Sequence, residues 1–165
     1  MSHPETRSLP LPAFDKPVKV LIVAAPWYQE IAFLLVQGAK AVLARINAEV
    51  EVLEVPGPLQ VPPAIATAER LAEFDGYVAL GCLIRGETSR CDTESAEISR
   101  ALMGLSMAGA AVGNGILAVE NFSQGVERAD PAGADKGGEA AAAALHLIAI
   151  SRKWAGQTKG IGFRA

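Results

Sequence analysis

The run GYVALGCLIRGETSR, residues 76–90, joins an apolar segment to a short polar one whose groups could bind an anion. Gly86 lets the backbone turn, and Glu87, Thr88 and Ser89 then present amide hydrogens where a helix begins. Unpaired N–H groups and the positive end of a helix dipole favour negative charge. The run is therefore predicted to be a strand end that leads into a phosphate-binding loop. The alternative is that Thr88 is only a helix N-cap.

Two further side chains fit a small ligand that carries an anion and a flat ring. Arg128 ends a short helical segment, where its guanidinium could bind a phosphate through two hydrogen bonds, although a lone surface arginine is the alternative. Trp27 follows the first predicted strand, where a ring could stack on it, unless it is a core or interface tryptophan. Cys91 lies near the helix start, where a thiol can become reactive, but an unreactive, partly buried thiol is the favoured interpretation.

Several classes of site and partner are not expected. No GxGxxG follows the first predicted strand, and no GxxxxGK[ST] or GxSxG motif occurs, so dinucleotide, nucleoside triphosphate and serine-hydrolase sites lack their motifs. His3 and His146 lie in a polar segment and in an apolar helix, where catalysis is not expected. Cys82 and Cys91 lack metal-ligand spacing and favour a reducing compartment. A net charge of −3 without a basic stripe argues against nucleic acid or an anionic membrane as a partner.

The segments that must position these residues alternate between strand and helix patterns. Apolar or alternating runs predict strands at 19–25, 49–55, 76–84 and 111–119. Apolar positions at helical spacing predict helices at 31–45, 62–73, 88–107, 122–129 and 137–154. The alternation predicts an α/β fold, with a four-stranded parallel flavodoxin-like sheet covered by helices on both faces. Ligands of such sheets bind beyond the carboxyl ends of the strands.

The chain of 165 residues is predicted to form one domain, residues 17–156, with an N-terminal arm, 1–16, and a C-terminal tail, 157–165. No signal peptide is visible, and the longest apolar run is too short to span a bilayer, which predicts a soluble cytoplasmic protein. The last helix is apolar nearly all round. It therefore predicts a subunit interface, and an exposed alanine-rich helix is the alternative.

Five motifs in the same order and spacing give the sequence a family resemblance. They are PGPLQVP (56–62), LGCLIRGETS (80–89), NGILAVEN (114–121), QGVERA (124–129) and DKGGEAA (135–141). Together they resemble 6,7-dimethyl-8-ribityllumazine synthase, over residues 18–154. The resemblance implies a three-layer sandwich of the lumazine-synthase type. It also implies the condensation of 5-amino-6-(D-ribitylamino)uracil with 3,4-dihydroxy-2-butanone 4-phosphate in riboflavin biosynthesis, without a metal or redox cofactor.

The resemblance also implies a role for individual residues on both sides of the site. Those expected to contact the pyrimidine and its ribityl chain are Trp27 (stacking), Pro58, Leu59 and Gln60 (ribityl), Cys82, Leu83 and Ile84 (uracil edge), and Asn114 (covering the ring from a neighbouring chain). Those expected to bind the butanone phosphate are Gly86, Glu87, Thr88, Arg128 of the adjacent subunit, and Lys136.

Four departures from the family pattern cluster at this site. Arg90 replaces the histidine that donates a proton, Gln60 replaces a glutamate, Pro58 replaces an alanine, and Pro26 stands where a charged residue is common. Arginine keeps its proton and accepts no hydrogen bond, so it cannot shuttle protons. Loss of a general acid–base costs roughly 10²–10⁴-fold in rate. We therefore expect a divergent enzyme of reduced activity.

Two other interpretations remain at this point. The chain could be an inactive or re-purposed paralogue that binds flavin-like or lumazine-like ligands or forms a shell. It could also act on another phosphorylated carbonyl compound. The resemblance further implies a homo-oligomer, a pentamer or a multiple up to a sixty-subunit shell, and the short spacing from Arg128 to Lys136 favours the shell.

Overall fold

A computed structural model of the protein describes residues 8–156. The predicted tail, 157–165, and the first part of the predicted arm, 1–7, lie outside the described residues. Residues 8–16 form no helix or strand, but Leu11 and Phe14 pack against the core.

The last residues of the arm are attached to the final helix. The Arg152 guanidinium donates hydrogen bonds to the carbonyl oxygens of Lys16 and Pro17, at 3.0 and 2.7 Å. It also forms an ion pair with Asp75 at 3.3 Å. These contacts fix where the chain enters the first strand.

Four strands form one parallel sheet: β1 (Lys19–Ala24), β2 (Glu49–Glu54), β3 (Gly76–Ile84) and β4 (Val112–Val119). Their order across the sheet is β2-β1-β3-β4. β1 and β3 are central, and their apolar side chains are buried on both faces because helices cover both sides. The predicted four-stranded, flavodoxin-like sheet is confirmed.

Five α-helices cover the sheet: α1 (Gln29–Ala44), α2 (Val61–Leu71), α3 (Arg90–Met107), α4 (Phe122–Ala129) and α5 (Lys136–Ala155). One apolar cluster joins one face of the sheet to α1, α4 and α5, and a second cluster joins the other face to α2 and α3. This is the predicted three-layer sandwich. A 3₁₀ turn at Pro58–Gln60, which the sequence patterns did not predict, precedes α2.

Close packing of α5 fixes one layer against the sheet. A Cβ added at Gly113 of β4 would overlap the backbone carbonyl of Ala140, and one added at Gly137 would overlap the carbonyl of Leu35 in α1. Asp135 begins the helix with a left-handed backbone, φ 46°, and its carboxylate accepts a hydrogen bond from the Gly138 amide at 3.1 Å.

One side of α5 is buried in the core of its own chain, and the other side leaves large apolar side chains exposed. Ala141, Leu145 and Ile148 face the core, whereas Ile150 and Trp154 remain 44% and 61% exposed. A large apolar surface on a helix normally contacts another surface, so the predicted subunit interface stays a prediction with a defined location. Among residues 8–156, no helix combines the length and apolar character needed to cross a bilayer.

Candidate active site

A pocket of about 200 Å³ opens at the carboxyl ends of β1 and β3. The loop after β1 supplies Trp27, the end of β3 supplies Ile84, and the loop that follows supplies Thr88. The residues that line it are Trp27, Tyr28, Leu83, Ile84, Gly86, Thr88, Arg90, Cys91 and Glu94. Six of these belong to the predicted site, and they meet because parallel strands end at the same edge of the sheet.

The turn between β3 and α3 leaves backbone amides available to an anion. Gly86 and Thr88 are exposed, and α3 begins at Arg90, two residues later than predicted. The N-cap is Ser89, whose side chain makes no capping hydrogen bond. Thr88 accepts only a long hydrogen bond, 3.4 Å, from the amide of Arg90. The Thr88 hydroxyl is therefore not the helix cap and remains available to a ligand.

Arg85 holds this turn in place through contacts that the sequence patterns did not predict. Its Nε donates to both carboxylate oxygens of Glu120, at 3.0 and 3.1 Å, and its terminal nitrogens donate to Asp92, at 2.7 and 2.6 Å. The hydrogen bonds with Asp92 and then Glu120 raise the pKa of the guanidinium further, and the hydrogen bond from Arg85 lowers the pKa of the Asp92 carboxyl. Arg85 thus links the ends of β3 and β4 to α3.

Trp27 forms one wall of the pocket. The side chain is 46% exposed, as a ring that stacks on a ligand would be. A Cβ added at Gly57 would lie 2.7 Å from Cζ2 of the indole, so the loop after β2 contacts the ring through a residue without a side chain. The Arg90 guanidinium carbon lies 5.8 Å from the indole centroid, within the range of a cation–π interaction.

Arg90 forms an ion pair inside the pocket with Glu94, one turn along α3. Arg90 Nε donates to Glu94 Oε1 at 2.5 Å. Glu94 is only 8% exposed, and its Oε2 is buried without a hydrogen-bond partner within residues 8–156. The buried positions of α3 are Cys91, Glu94, Ile98 and Leu102, so Glu94 occupies the apolar face of the helix. This spacing was the signal that could have identified it.

Several predicted pyrimidine-side residues lie near the pocket without lining it. Pro58 is buried in the 3₁₀ turn, next to the backbone of Gly81, while Leu59 and Gln60 are exposed. The Cys82 side chain packs into the core, and burial raises its pKa to about 11. Cys82 therefore lies with its thiol away from the pocket that Leu83 and Ile84 line.

The remaining predicted residues lie on other surfaces of the chain. Asn114 is exposed on β4, and its Oδ1 accepts a hydrogen bond from the Ile116 amide at 3.0 Å. Arg128 is exposed at the end of α4. Lys136 forms an ion pair with Glu139 at 2.7 Å and lines a separate cavity between the arm, α1 and α5. One chain does not bring these three residues into the pocket.

Fold and pocket together define a parallel α/β protein with a small cavity at the carboxyl edge of its sheet, lined by an indole ring, an exposed turn and an arginine. The family model for 6,7-dimethyl-8-ribityllumazine synthase matches residues 17–152. A protein of that name from Jannaschia sp. (strain CCS1) is 47% identical over 99% of this chain and 92% of its own length. Another, from Novosphingobium aromaticivorans, is 52% identical over 82% of this chain and 98% of its own length. The chain belongs to the 6,7-dimethyl-8-ribityllumazine synthase family.

Family membership confirms the resemblance, and with it the assignment to a transferase of riboflavin biosynthesis. A further relative with the same name, from Erythrobacter litoralis, is 49% identical over 82% of this chain. Because these relatives carry the name of the enzyme, the interpretation as an inactive or re-purposed paralogue is not favoured. The roles of individual residues stay predictions.

Proposed function

We propose that this chain condenses 5-amino-6-(D-ribitylamino)uracil with 3,4-dihydroxy-2-butanone 4-phosphate, and that it does so more slowly than a site with a proton-transferring histidine. The observation that carries the proposal is the pocket in which Trp27, Ile84, Thr88 and Arg90 meet. It offers a ring-stacking wall, a strand edge with backbone polar groups, an anion-binding turn and a cation.

On the pyrimidine side, Trp27 stacks on the ring while Leu83 and Ile84 bind the uracil edge through the end of β3. Pro58, Leu59 and Gln60 lie on the next loop of the same sheet edge and contact the ribityl chain. Cys82 contributes only its backbone, because its side chain is buried in the core. Asn114 covers the ring of a neighbouring chain's site, consistent with its exposure on β4.

On the phosphate side, Gly86, Glu87 and Thr88 form the turn whose amides and hydroxyl bind the butanone phosphate. A helix N-terminus favours an anion through its free N–H groups and dipole. Arg128 and Lys136 reach this phosphate from a neighbouring subunit, since neither lines the pocket of its own chain.

The chemical steps are attack of the 5-amino group on the ketone, elimination of phosphate and ring closure. No histidine lines the pocket among residues 8–156, and Arg90 cannot transfer a proton. Orientation of the two substrates still accelerates a condensation. We therefore expect a rate about 10²–10⁴-fold below that of a site with a working acid–base group.

The active enzyme is a homo-oligomer in the cytoplasm, a pentamer or a multiple of one. Exposed apolar side chains on α5, together with Asn114 and Arg128 outside their own pocket, support a site shared between chains. Light scattering tests the assembly: a stable monomer would contradict it, and a particle of about sixty chains would identify the shell form.

The function is tested by mixing the protein with both substrates and following the absorbance of the lumazine product against the spontaneous reaction. We expect a rate above that background, and its absence would refute the proposal. The Arg90→His variant should then be faster than the natural protein. An unchanged or lower rate in that variant would mean that the missing histidine does not limit the reaction.

A further inference from the structure

Glu94 is an unusual residue for the position it occupies. Its neighbours on the buried face of α3 are apolar, and it is the only charged side chain below 9% exposure among residues 8–156. A buried carboxylate is costly unless it is paired. Its one partner in the described chain is Arg90, which meets it at Oε1. The two residues are therefore one structural unit.

The pairing determines which atoms of Arg90 remain free. Glu94 binds only Nε, and within residues 8–156 neither terminal nitrogen of Arg90 has a hydrogen bond. The Trp27 ring lies next to the guanidinium and restricts it further. The side chain of Arg90 is 68% exposed, and it lines the pocket together with Thr88. Its two terminal nitrogens thus have the fork arrangement that suits a phosphate.

We propose that Glu94 is a positioning residue, which fixes Arg90 through Nε so that its terminal nitrogens bind the phosphate of the butanone substrate beside Thr88. This inference rests on the proposed function for the identity of the substrate. Arg90, which replaces the histidine of the family, then binds substrate and does not transfer a proton. The anchored arginine then determines the affinity for the phosphorylated substrate, and not that for the pyrimidine.

Inorganic phosphate is the probe that separates binding from turnover. Phosphate binding is measured by calorimetry for the natural protein and for the Glu94→Leu and Glu94→Gln variants. In Glu94→Leu the dissociation constant for phosphate should rise about 10-fold, because a hydrogen bond to a charged, partly exposed group is lost. Glu94→Gln keeps an oxygen that can accept from Nε and should rise only about 3-fold. Glu97→Leu, which removes an ion pair with Arg100 on the exposed face of the same helix, is the matched control and should not change phosphate binding.

A second arm tests whether Glu94 acts through Arg90. In an Arg90→Gln background, adding Glu94→Leu should weaken phosphate binding no further, because the group that Glu94 positions is already absent. In the turnover assay, Glu94→Leu should raise KM for the butanone phosphate about 10-fold and leave KM for the pyrimidine within 2-fold.

Three results would overturn the inference: no phosphate binding by the natural protein, an equal loss in both Arg90 backgrounds, or parallel changes in the two KM values. If Glu94→Leu does not fold, the comparison of Glu94→Gln with the natural protein decides, and identical phosphate affinity would overturn the inference. Phosphate binding that depends on Glu94 without any turnover would refute the proposed function, and with it the identity of the substrate, but would leave the role of Glu94 in positioning Arg90 for a phosphate intact.

Discussion

A single methyl group at Gly57 should displace the ring that forms the pocket wall. The Cβ of a Gly57→Ala variant would lie 2.7 Å from Cζ2 and 2.9 Å from Cε2 of Trp27. Carbon atoms in contact prefer roughly 3.5–4.0 Å, so the indole must move by about 1 Å. Gly57 has an extended backbone, φ −162°, which alanine adopts without strain. The perturbation therefore acts on the ring and not on the chain that carries it.

The displacement should reduce activity much more than stability. Stacking of aromatic rings contributes about 0.5–1.5 kcal/mol, and a misplacement of about 1 Å at a reacting centre can cost about 10²-fold in rate. We expect kcat/KM for the pyrimidine to fall roughly 10- to 100-fold. Because Trp27 is 46% exposed and can move outward, the free energy of unfolding should fall by about 1 kcal/mol or less.

The assay is the steady-state rate of lumazine formation, paired with a thermal unfolding curve for each variant. Gly104→Ala is the matched control, since an added Cβ meets nothing within 4 Å on an exposed part of α3. It should keep full activity and gain up to about 1 kcal/mol from helix propensity. If kcat/KM of the Gly57→Ala protein stays within 2-fold of that of the unsubstituted protein, the position of the Trp27 ring does not control activity. A loss of activity that merely follows unfolding would lead to the same conclusion.

Three further predictions concern stability and reactivity. Gly137→Ala places a Cβ against the carbonyl of Leu35, so the free energy of unfolding in urea should fall by about 1–3 kcal/mol, and an unchanged midpoint would contradict this. Burial raises the pKa of Asp135, so the stability that this group contributes is present at low pH and is lost as pH rises through its folded pKa. The Asp135→Asn variant keeps the capping oxygen and should be more stable than the natural protein at pH 7. If urea unfolding at pH 4 and pH 7 shows the same change in stability for both proteins, the prediction is wrong. The pKa of Cys82 is raised to about 11, and its thiol is buried. In a Cys91→Ser protein, which leaves Cys82 as the thiol under test, a thiol reagent at pH 8 should therefore react only after denaturation. Fast reaction of the folded Cys91→Ser protein would contradict the burial of Cys82.

The elements of the fold could be predicted because their patterns are local. Continuous apolar runs identified the two central strands, and turns rich in proline and glycine identified where elements end. The 3₁₀ turn at Pro58–Gln60 was missed, since three residues are too few to carry a periodic signal. The start of α3 was predicted two residues early because Thr88 is a good capping residue, whereas Ser89 is the N-cap in the structure.

Part of the pocket lining could be predicted because it lies at or just after strand ends, and the roles of these residues stay predictions. Trp27 and Thr88 lie in loops after β1 and β3, which the topology brings together, whereas Ile84 was expected from the family resemblance. The contacts of Arg85 with Asp92 and Glu120 depend on the rotamers of three side chains from separate elements, which no spacing reveals. Glu94 could have been identified from the sequence, because it is a charged residue at a position where the helical spacing predicts an apolar one. Such departures from the apolar pattern often occur at functional sites.

A single-turnover measurement shows whether a condensing site that lacks its proton-transfer group still accelerates the reaction. The protein is held in excess over 5-amino-6-(D-ribitylamino)uracil at a saturating concentration of the butanone phosphate, so that even slow formation of the lumazine is resolved from the spontaneous reaction. We expect a rate that rises with protein concentration, saturates and stays above the background. A rate equal to the background at every protein concentration would contradict it.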